Sequence, residues 1–457
     1  MELIQHDLVI MALGIIFGFT AGLIPGIGLL IMLLLTYPLI VGATLFQMLL
    51  FYLAMASASQ FSGSIVATVF GVPGEPSSLP AVIEGHKLFN QGQGNFAISN
   101  AAIGSVIGSF VSVVIIYTLM PLSIELIKEF YNNNVQLTIL LVSCLAIIML
   151  IGKSVIVNVI LFALGLALTM IGDHFSPSFV FMPELIPYQQ YPVLYQGLPF
   201  FPVLISLYVF PVLYRSYSDT KINYTNIKYT DNNSLLEHFK EFRKHIGSSL
   251  RGSIFGTVMG LVPHIGTTLS SNLSYAFEKK RGIQNKTYKE TGDIKSLVAA
   301  ETANNGTSIT AMIPLMIIGI PITTSEAVLL MIIDSHYYLI NYSTTVESGV
   351  FLQLVLFFVV INIVCFFLSW PLVNYVNYIK KIPIQTIFLA TGAALVLLNL
   401  YVGYTNREVW FYMLTMIGLL PLGFLLRKTE TLVLIIGFVL GEKILTSAST
   451  FYIINFA

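Results

Sequence analysis

The stretch Gly22–Gly28 reads GLIPGIG, and Gly260–Gly266 repeats it as GLVPHIG. The first copy is followed by GVPGEPSS at Gly71–Ser78, and the second by GIPITTSE at Gly319–Glu326. Both pairs lie inside long apolar stretches, where Gly and Pro interrupt a helix. In a membrane protein, interrupted segments at matching places in two halves indicate a transport site. The first motifs are 238 residues apart and the second motifs 248, so the predicted duplication includes a short insertion.

Composition places the chain in a membrane. The hydrophobic fraction is 56% and the charged fraction only 10%, against roughly a quarter charged in soluble domains. Apolar runs long enough to cross about 30 Å of hydrocarbon recur along the chain. We expect an all-α polytopic protein of the plasma or inner membrane with ten to twelve transmembrane segments. The runs lie near residues 8–45, 46–70, 99–122, 135–152, 154–172, 198–214, 252–277, 296–341, 350–378, 385–402, 409–426 and 431–448.

One polar stretch divides the chain and sets its predicted organisation. Residues 8–213 form the first membrane repeat, 214–249 a polar linker and 250–450 the second repeat. Basic residues mark cytoplasmic loops, so the linker is predicted to be cytoplasmic. By analogy with carriers built from duplicated halves, we expect the two repeats to be inverted in the membrane. The formal net charge is zero, which gives no basis for a nucleic-acid partner.

The apolar segment 252–277 poses a question of topology. The linker and the basic loop at 279–295 both have cytoplasmic character, yet two full crossings between them need about 40 residues. A re-entrant hairpin with a turn at 263–266 fits the shorter segment, because irregular backbone is tolerated at that depth when it is buried or lines a cavity. The alternative is an external linker and a single Pro-kinked span.

These motifs resemble the large membrane subunit of tripartite tricarboxylate transporters, the TctA family. The resemblance rests on GLIPGIG, on Phe61–Gly108, on GLVPHIG with the following SNLSYAFEKK, and on Ser296–Pro321. The second-half motifs differ from the family pattern at two positions, because His264 and Ile322 occupy positions where the family has Gly. The resemblance implies a secondary transporter for small citrate-like carboxylates. It also implies two partners, a small membrane subunit and an extracytoplasmic binding protein.

A substrate carrying two or three negative charges needs donors inside the membrane. The apolar segments hold almost no Lys or Arg, so we expect helix N-termini, close-approach glycines and hydroxyls to bind it. The predicted substrate-binding residues are Pro25, Gly26, Gly28, Gly63, Pro73, Gly74, Ser77, Ser78, Pro263, His264, Gly266, Gly319, Pro321, Thr323 and Ser325. The alternative is that these Gly and Pro residues only kink and pack helices.

Helix ends carry only about half a unit of positive charge, which leaves such an anion under-neutralised. We therefore expect cotransport with Na⁺ or H⁺ and no other cofactor. The predicted ion-coupling residues are Ser57, Ser59, Gln60, Ser62, Glu301, Asn304, Asn305, Thr307 and Ser308. Interhelical hydrogen bonding is the alternative role of the Ser and Asn clusters.

Acids within apolar segments are costly, and therefore informative. Glu301 precedes Asn304 by one helical turn and is the best candidate for a proton or ion role, with a loop position at the membrane edge as its alternative. Glu75 directly follows Pro73-Gly74 and is equally compatible with a binding site or a membrane boundary. Glu326 is expected at a boundary.

Three other function classes compete with a carrier. An intramembrane enzyme needs a catalytic set on facing helices, and no such pattern is found in the sequence, so we predict no enzymatic activity. Four alternatives are not excluded by the sequence: a carrier of another small anion, a carrier without partner subunits, a channel and a membrane scaffold. Saturation, counterflow and ion coupling separate a carrier from a channel, and a scaffold gives no flux.

Overall fold

The computed structural model is predominantly helical and contains no strand in the parts of the chain that it describes. These parts are residues 2–24, 26–130, 137–138, 141–142, 144–145, 148–149, 154–171, 197–219, 235–261, 266–319, 321, 323–335, 343–379, 384–429 and 431–456. The first described helices are α1 (Glu2–Leu23), α2 (Gly28–Leu35), α3 (Tyr37–Ile40), α4 (Leu45–Phe70), α5 (His86–Asn90), α6 (Gly94–Phe130), α7 (Val155–Thr169), α8 (Phe200–Leu204) and α9 (Phe210–Asp219). The later ones are α10 (Leu235–Phe242), α11 (Ile246–Gly260), α12 (Gly266–Gln284), α13 (Ile294–Ile318), α14 (Thr324–Ser335), α15 (Val350–Ile379), α16 (Ile384–Thr405), α17 (Val409–Leu425) and α18 (Thr431–Phe456).

Short helical segments of other geometry join these helices. Two are 3₁₀ turns, at Pro76–Ser78 and Arg243–His245. Three are π-helical, at Ala81–Gly85, Ile205–Val209 and Ser343–Glu347.

Six of the described helices are long and apolar enough to cross a membrane. The spans are His6–Leu23, Leu45–Phe70, Gly94–Thr118, Val350–Ser369, Gln385–Thr405 and Thr431–Ala448. Shorter apolar helices add Val155–Thr169, Phe200–Arg215, Thr324–Ile333 and Val409–Leu425. The polytopic helical class predicted from composition is confirmed. Much of the predicted run 135–152 lies outside the described residues.

The chain packs as two compact units. One combines residues 1–121 with 221–383, and the other combines 122–220 with 384–457. Each unit therefore takes segments from before and after the polar stretch. The repeat boundaries at 8–213 and 250–450 describe duplication along the chain rather than packing, and they stay a prediction.

Glycines let α1 lie directly on α4. A Cβ atom on Gly14, Gly18 or Gly22 would overlap the backbone oxygens of Phe51, Met55 and Ser59, respectively. Because both series advance by four residues in the same direction, α1 and α4 run parallel. Small residues at this spacing allow helix backbones to approach closely in membranes.

The same packing recurs in the second half of the chain. Gly252 and Gly256 of α11 lie against the backbone oxygens of Ala299 and Ala303 of α13. These glycines follow Gly14 and Gly18 by 238 residues, and their partners follow Phe51 and Met55 by 248. The correspondence supports the predicted duplication, with an insertion between the two series.

Helices α4 and α13 also begin and end alike. Thr44 and Asp293 cap their N-termini through side-chain oxygens, which accept the amides of Gln47 and Ser296. Both helices end at a glycine in the left-handed conformation, Gly71 with φ 67° and Gly319 with φ 65°. Glycine adopts this conformation without a Cβ clash.

Helices α11 and α12 form a hairpin around the second interrupted motif. Arg251 in α11 makes a two-point ion pair with Glu278 near the end of α12, with nitrogen–oxygen distances of 2.6 and 2.9 Å. Ser248 donates to the same carboxylate at 2.8 Å. This contact joins the first turns of α11 to the last turns of α12, so the two helices run antiparallel. A single kinked span would separate these ends, and that alternative is wrong.

A buried carboxylate ties the first half to the loop before α13. Glu84, in the π-helical turn, accepts hydrogen bonds from the hydroxyls of Tyr275 and Tyr288 at 2.8 and 2.9 Å. The Asp293 amide donates to its second oxygen at 2.9 Å. Burial, followed by the bond to Glu84, raises the pKa of Tyr288 to about 12. Three donors thus satisfy a carboxylate that solvent does not reach.

Candidate functional site

The two motifs of the first half meet at the start of α2. The Leu29 amide donates to Glu75 Oε1 at 2.8 Å, so the Glu75 carboxylate lies at the positive end of this short helix. Gly26 and Gly28 have φ values of 87° and 59°, which turn the chain out of α1 and into α2. A Cβ atom on Gly28 would lie 3.8 Å from Glu75 Oε1. The GLIPGIG turn therefore brings backbone donors to the loop that carries Glu75.

A notch between glycines holds that loop in place. A Cβ atom on Gly74 would overlap the Gly22 carbonyl oxygen and lie 2.7 Å from Gly63 Cα. One on Gly63 would lie 3.0 Å from the Glu75 nitrogen. Any larger residue at these positions would push the loop away from α1 and α4. This explains physically why small residues occur at Gly22, Gly63 and Gly74.

The two motifs of the second half meet in the same way. A Cβ atom on Gly266, the first residue of α12, would lie 3.2 Å from Thr323 Cγ2. Thr323 and Glu326 cap α14 reciprocally, since the Thr323 amide donates to Glu326 Oε2 at 2.9 Å and the Glu326 amide donates to Thr323 Oγ1 at 3.2 Å. Gly28 and Glu75 are followed 238 and 248 residues later by Gly266 and Thr323. Equivalent motif positions are thus in contact in both halves.

Contacts between the halves bring all four motifs into one region. Ser271 in α12 donates to the Ser77 carbonyl oxygen at 2.8 Å, and α2 packs against α14. The buried Tyr52 of α4 lies near Thr323, Glu75 and Glu326. Tyr52 is a site residue that sequence reasoning missed, because a Tyr inside an apolar helix carries no signal of its own.

The protein's own carboxylates occupy both helix starts in this region. Glu75 lies at the N-terminus of α2 across the loop, and Glu326 lies at the N-terminus of α14 within its own first turn. Glu326 is 2% exposed, because the capping box holds its side chain inside the protein; its expected position at a membrane boundary stays a prediction. A substrate carboxylate would have to use the remaining donors here or replace one of these two side chains.

The other predicted substrate-binding residues are distributed around this region. Pro73 is exposed, whereas Pro321 and Gly319 are buried and Ser325 is half-buried. Ser78 is buried, and its hydroxyl donates to the Glu75 carbonyl oxygen at 2.7 Å. Pro25, Pro263 and His264 lie outside the described residues.

A polar seam runs between α4 and α13. We define it by Ser57, Gln60, Ser64, Glu301, Asn304, Asn305 and Ser308, all of which are buried. Gln60 Nε2 donates across the seam to Ser308 Oγ at 2.5 Å, and the Ser64 side chain faces Glu301. The partner of Ser64 therefore precedes the partner of Gln60 along α13, so α4 and α13 cross in antiparallel directions.

Several oxygen atoms of the seam have no hydrogen-bond partner among the described residues. They are Ser57 Oγ, Gln60 Oε1, Ser64 Oγ, both carboxyl oxygens of Glu301, Asn304 Oδ1 and Asn305 Oδ1. Buried polar atoms are normally paired, and each exception needs an explanation. Carboxylate, amide and hydroxyl oxygens together suit a hard cation.

Glu301 is the seam residue whose burial is energetically most costly. Its side chain is 0% exposed, and within the described residues neither of its carboxyl oxygens has a hydrogen-bond partner. An ionised carboxylate in such surroundings needs a counter-charge or a proton. The alternative of a loop position is wrong, because Glu301 lies inside α13, two turns from its start.

Three predicted ion-coupling residues lie away from the seam. The Ser62 hydroxyl donates within α4 to the Ala58 carbonyl oxygen at 3.0 Å, on the side that faces α1. The Thr307 hydroxyl bonds to Gly256 of α11 and Ser270 of α12 at 3.0 and 2.7 Å. Ser59 faces Glu75 instead. The 3.6-residue period places alternate members of each polar cluster on different helix faces.

Comparison with known proteins identifies the family of the chain. The family model described as "Tripartite tricarboxylate transporter TctA family" matches residues 8–436. A protein of Agrobacterium vitis described as "Uncharacterized 52.8 kDa protein in TAR-I ttuC' 3'region" is 25% identical over 436 residues, which cover 94% of this chain and 83% of the relative. No solved structure matches the chain. The family is a transporter component and not an enzyme, and the chain belongs to the tripartite tricarboxylate transporter TctA family.

Proposed function

We propose that this chain is the permease of a cation-coupled secondary transporter for small carboxylates. In this proposal it works with a small membrane subunit and an extracytoplasmic binding protein, as family membership supports. The observation that carries the coupling is Glu301, a buried carboxylate without a cationic partner beside amide and hydroxyl oxygens that lack hydrogen bonds. A Na⁺ ion or a proton at this carboxyl group would supply the missing charge.

The substrate region in this proposal is the place where the four motifs meet. In this proposal the amides of the first turns of α2 and α14 that Glu75 and Glu326 leave free bind the substrate, together with the hydroxyls of Tyr52 and Thr323. Amides at a helix N-terminus bind carboxylates well, as the contact of Glu75 with Leu29 illustrates. Where Glu75 and Glu326 are ionised, they add negative charge here, and an incoming di- or trianion then needs a co-bound cation. The charge balance thus links substrate binding to the seam.

Uptake into proteoliposomes tests the proposal. Citrate and other di- and tricarboxylates are screened with and without a sodium gradient, a proton gradient and the binding protein. Saturable, gradient-dependent uptake and counterflow support a coupled carrier. Uptake that proceeds equally well without either gradient would refute coupling, and non-saturable flux would indicate a channel.

Paired variants connect this activity to the seam. Asn304→Ala and Asn305→Ala should each abolish uptake while the folded protein is retained. Asn272→Ala is the matched control, since the hydrogen bond that its amide makes among the described residues stays within α12, to the Thr268 carbonyl oxygen at 2.8 Å. Equal uptake by all three variants would remove the seam from the mechanism.

A further inference from the structure

An open groove lies outside the region described above, between α6, α10 and α15. It has a volume of about 410 Å³. Val106 and Ile107 of α6 form one wall, and Phe239 of α10 and Phe366 of α15 form the other. The two phenyl rings pack with their centroids 5.8 Å apart. The walls are apolar, although α10 belongs to the polar stretch of the chain.

Basic residues stand beside this apolar groove. Lys240 and Arg243 are exposed and belong to its lining. Neither forms an ion pair within the described part of the chain, whereas neighbouring Lys244 binds Glu241 at 2.8 Å. That bond holds the pKa of Glu241 below its ordinary value. Two positive charges without an ion pair therefore lie beside an apolar cleft, and the exposed Glu237 stands one helical turn before Lys240.

The surfaces next to the groove are apolar as well. Phe110 of α6 is 57% exposed and Phe367 of α15 is 62% exposed, and both helices are candidate spans. Leu236 of α10 is 73% exposed. A short helix with exposed apolar side chains and flanking basic residues is typical of an element at the membrane surface. Acyl chains of the bilayer are the natural neighbours of these surfaces.

We propose that this groove binds one anionic phospholipid. Its headgroup phosphate would contact Lys240 and Arg243, and one acyl chain would lie between Val106 and Phe239. Basic pockets beside transmembrane helices recognise acidic headgroups in this way. A free phosphate ion would use only the two charges and leave the apolar walls uncovered. The site is independent of the substrate region and of the seam.

Native mass spectrometry of the full chain tests this proposal with phosphatidylglycerol and phosphatidylcholine as probes. We expect phosphatidylglycerol to bind more tightly, and the Lys240→Gln/Arg243→Gln variant to weaken that binding about 25-fold, which corresponds to ~1 kcal/mol for each basic residue. The Lys280→Gln/Lys289→Gln control removes the same charge from exposed positions outside the groove and should bind like the wild type. The proposal would be overturned if both double variants lost phosphatidylglycerol binding equally, or if neither lost it.

Two further measurements separate other occupants. Val106→Trp fills the groove and should displace both lipids, and inorganic phosphate should not compete with phosphatidylglycerol. Competition by phosphate would reduce the site to an ion-binding patch. A photo-crosslinking residue at Leu236 should label phospholipid in native membranes. A crosslink to a protein of discrete mass would show that a partner helix covers the groove and would refute the lipid proposal.

Discussion

Replacement of Glu301 by Gln tests the coupling mechanism most directly. The substitution keeps the shape of the side chain and removes the charge at a position that is 0% exposed. An ionised carboxylate left unpaired in the interior costs several kcal/mol. A cation that binds there should therefore stabilise the folded protein, by about 2.7 kcal/mol at a concentration 100 times its Kd. Glu301→Gln should abolish that gain and lower coupled uptake by more than tenfold.

Thermal unfolding in detergent measures this gain in the free energy of unfolding, and it does not require the partner subunits. Sodium is titrated against choline at constant ionic strength and at several pH values, so that a proton and Na⁺ are distinguished. Glu442→Gln is the control, because it removes a carboxylate from an exposed position on α18. We expect it to keep the wild-type dependence on sodium and pH.

One result would refute the reasoning. If Glu301→Gln unfolds with the same sodium and pH dependence as the wild type, and still supports gradient-driven uptake, then Glu301 holds no coupling ion. Loss of uptake with an unchanged cation response would place the ion elsewhere and leave Glu301 a structural role. Both outcomes are readable only if the variant remains folded, and the unfolding curve itself reports this.

Three further substitutions test the packing that positions the site. Gly22→Ala forces a Cβ atom into the backbone of α4 and should destabilise the protein by about 1–3 kcal/mol. Gly418→Ala is the control, because a Cβ atom there has no other atom within 4 Å. We expect the control to leave the melting temperature unchanged or slightly higher. Glu84→Gln gives up part of a three-donor arrangement and should cost about 1–3 kcal/mol in the unfolding transition; an unchanged transition would show that the loop before α13 is held by other contacts. Arg251→Gln leaves the buried Glu278 with the Ser248 hydroxyl but without its guanidinium and should cost about 1.5–3 kcal/mol. The double Arg251→Gln/Glu278→Gln variant should recover part of that loss in a double-mutant cycle, and strict additivity would be the contrary result.

The fold was predictable where local chemistry determines it. Apolar runs marked the spans, and the Gly-Pro motifs marked the places where helices stop: α1 ends at Leu23, α11 at Gly260 and α13 at Ile318. The four-residue glycine series also lies in the sequence, and its repetition could have predicted the parallel packing of α11 on α13. Division into two units could not be predicted, because each unit joins segments that are distant along the chain.

The site was predictable in composition and less so in geometry. Helical periodicity could have placed Gln60 and Ser64 on one face and Ser62 on another. The Thr323-x-x-Glu326 pattern is a capping-box signature, so the burial of Glu326 also had a local signal. Tyr52 had none, since its role depends on loops that reach it only in the folded chain.

Buried acids show why the seam requires a functional explanation. Five acidic side chains are buried in the described part of the chain: Glu84, Glu278, Asp293, Glu301 and Glu326. Glu84 has three donors, Glu278 has a guanidinium, and Asp293 and Glu326 cap helices. The protein thus satisfies every one of these carboxylates except Glu301. An unpaired buried carboxylate is destabilising in a fold that pairs the other four. This supports our proposal that the missing partner of Glu301 is a cation or a proton that binds and leaves during transport.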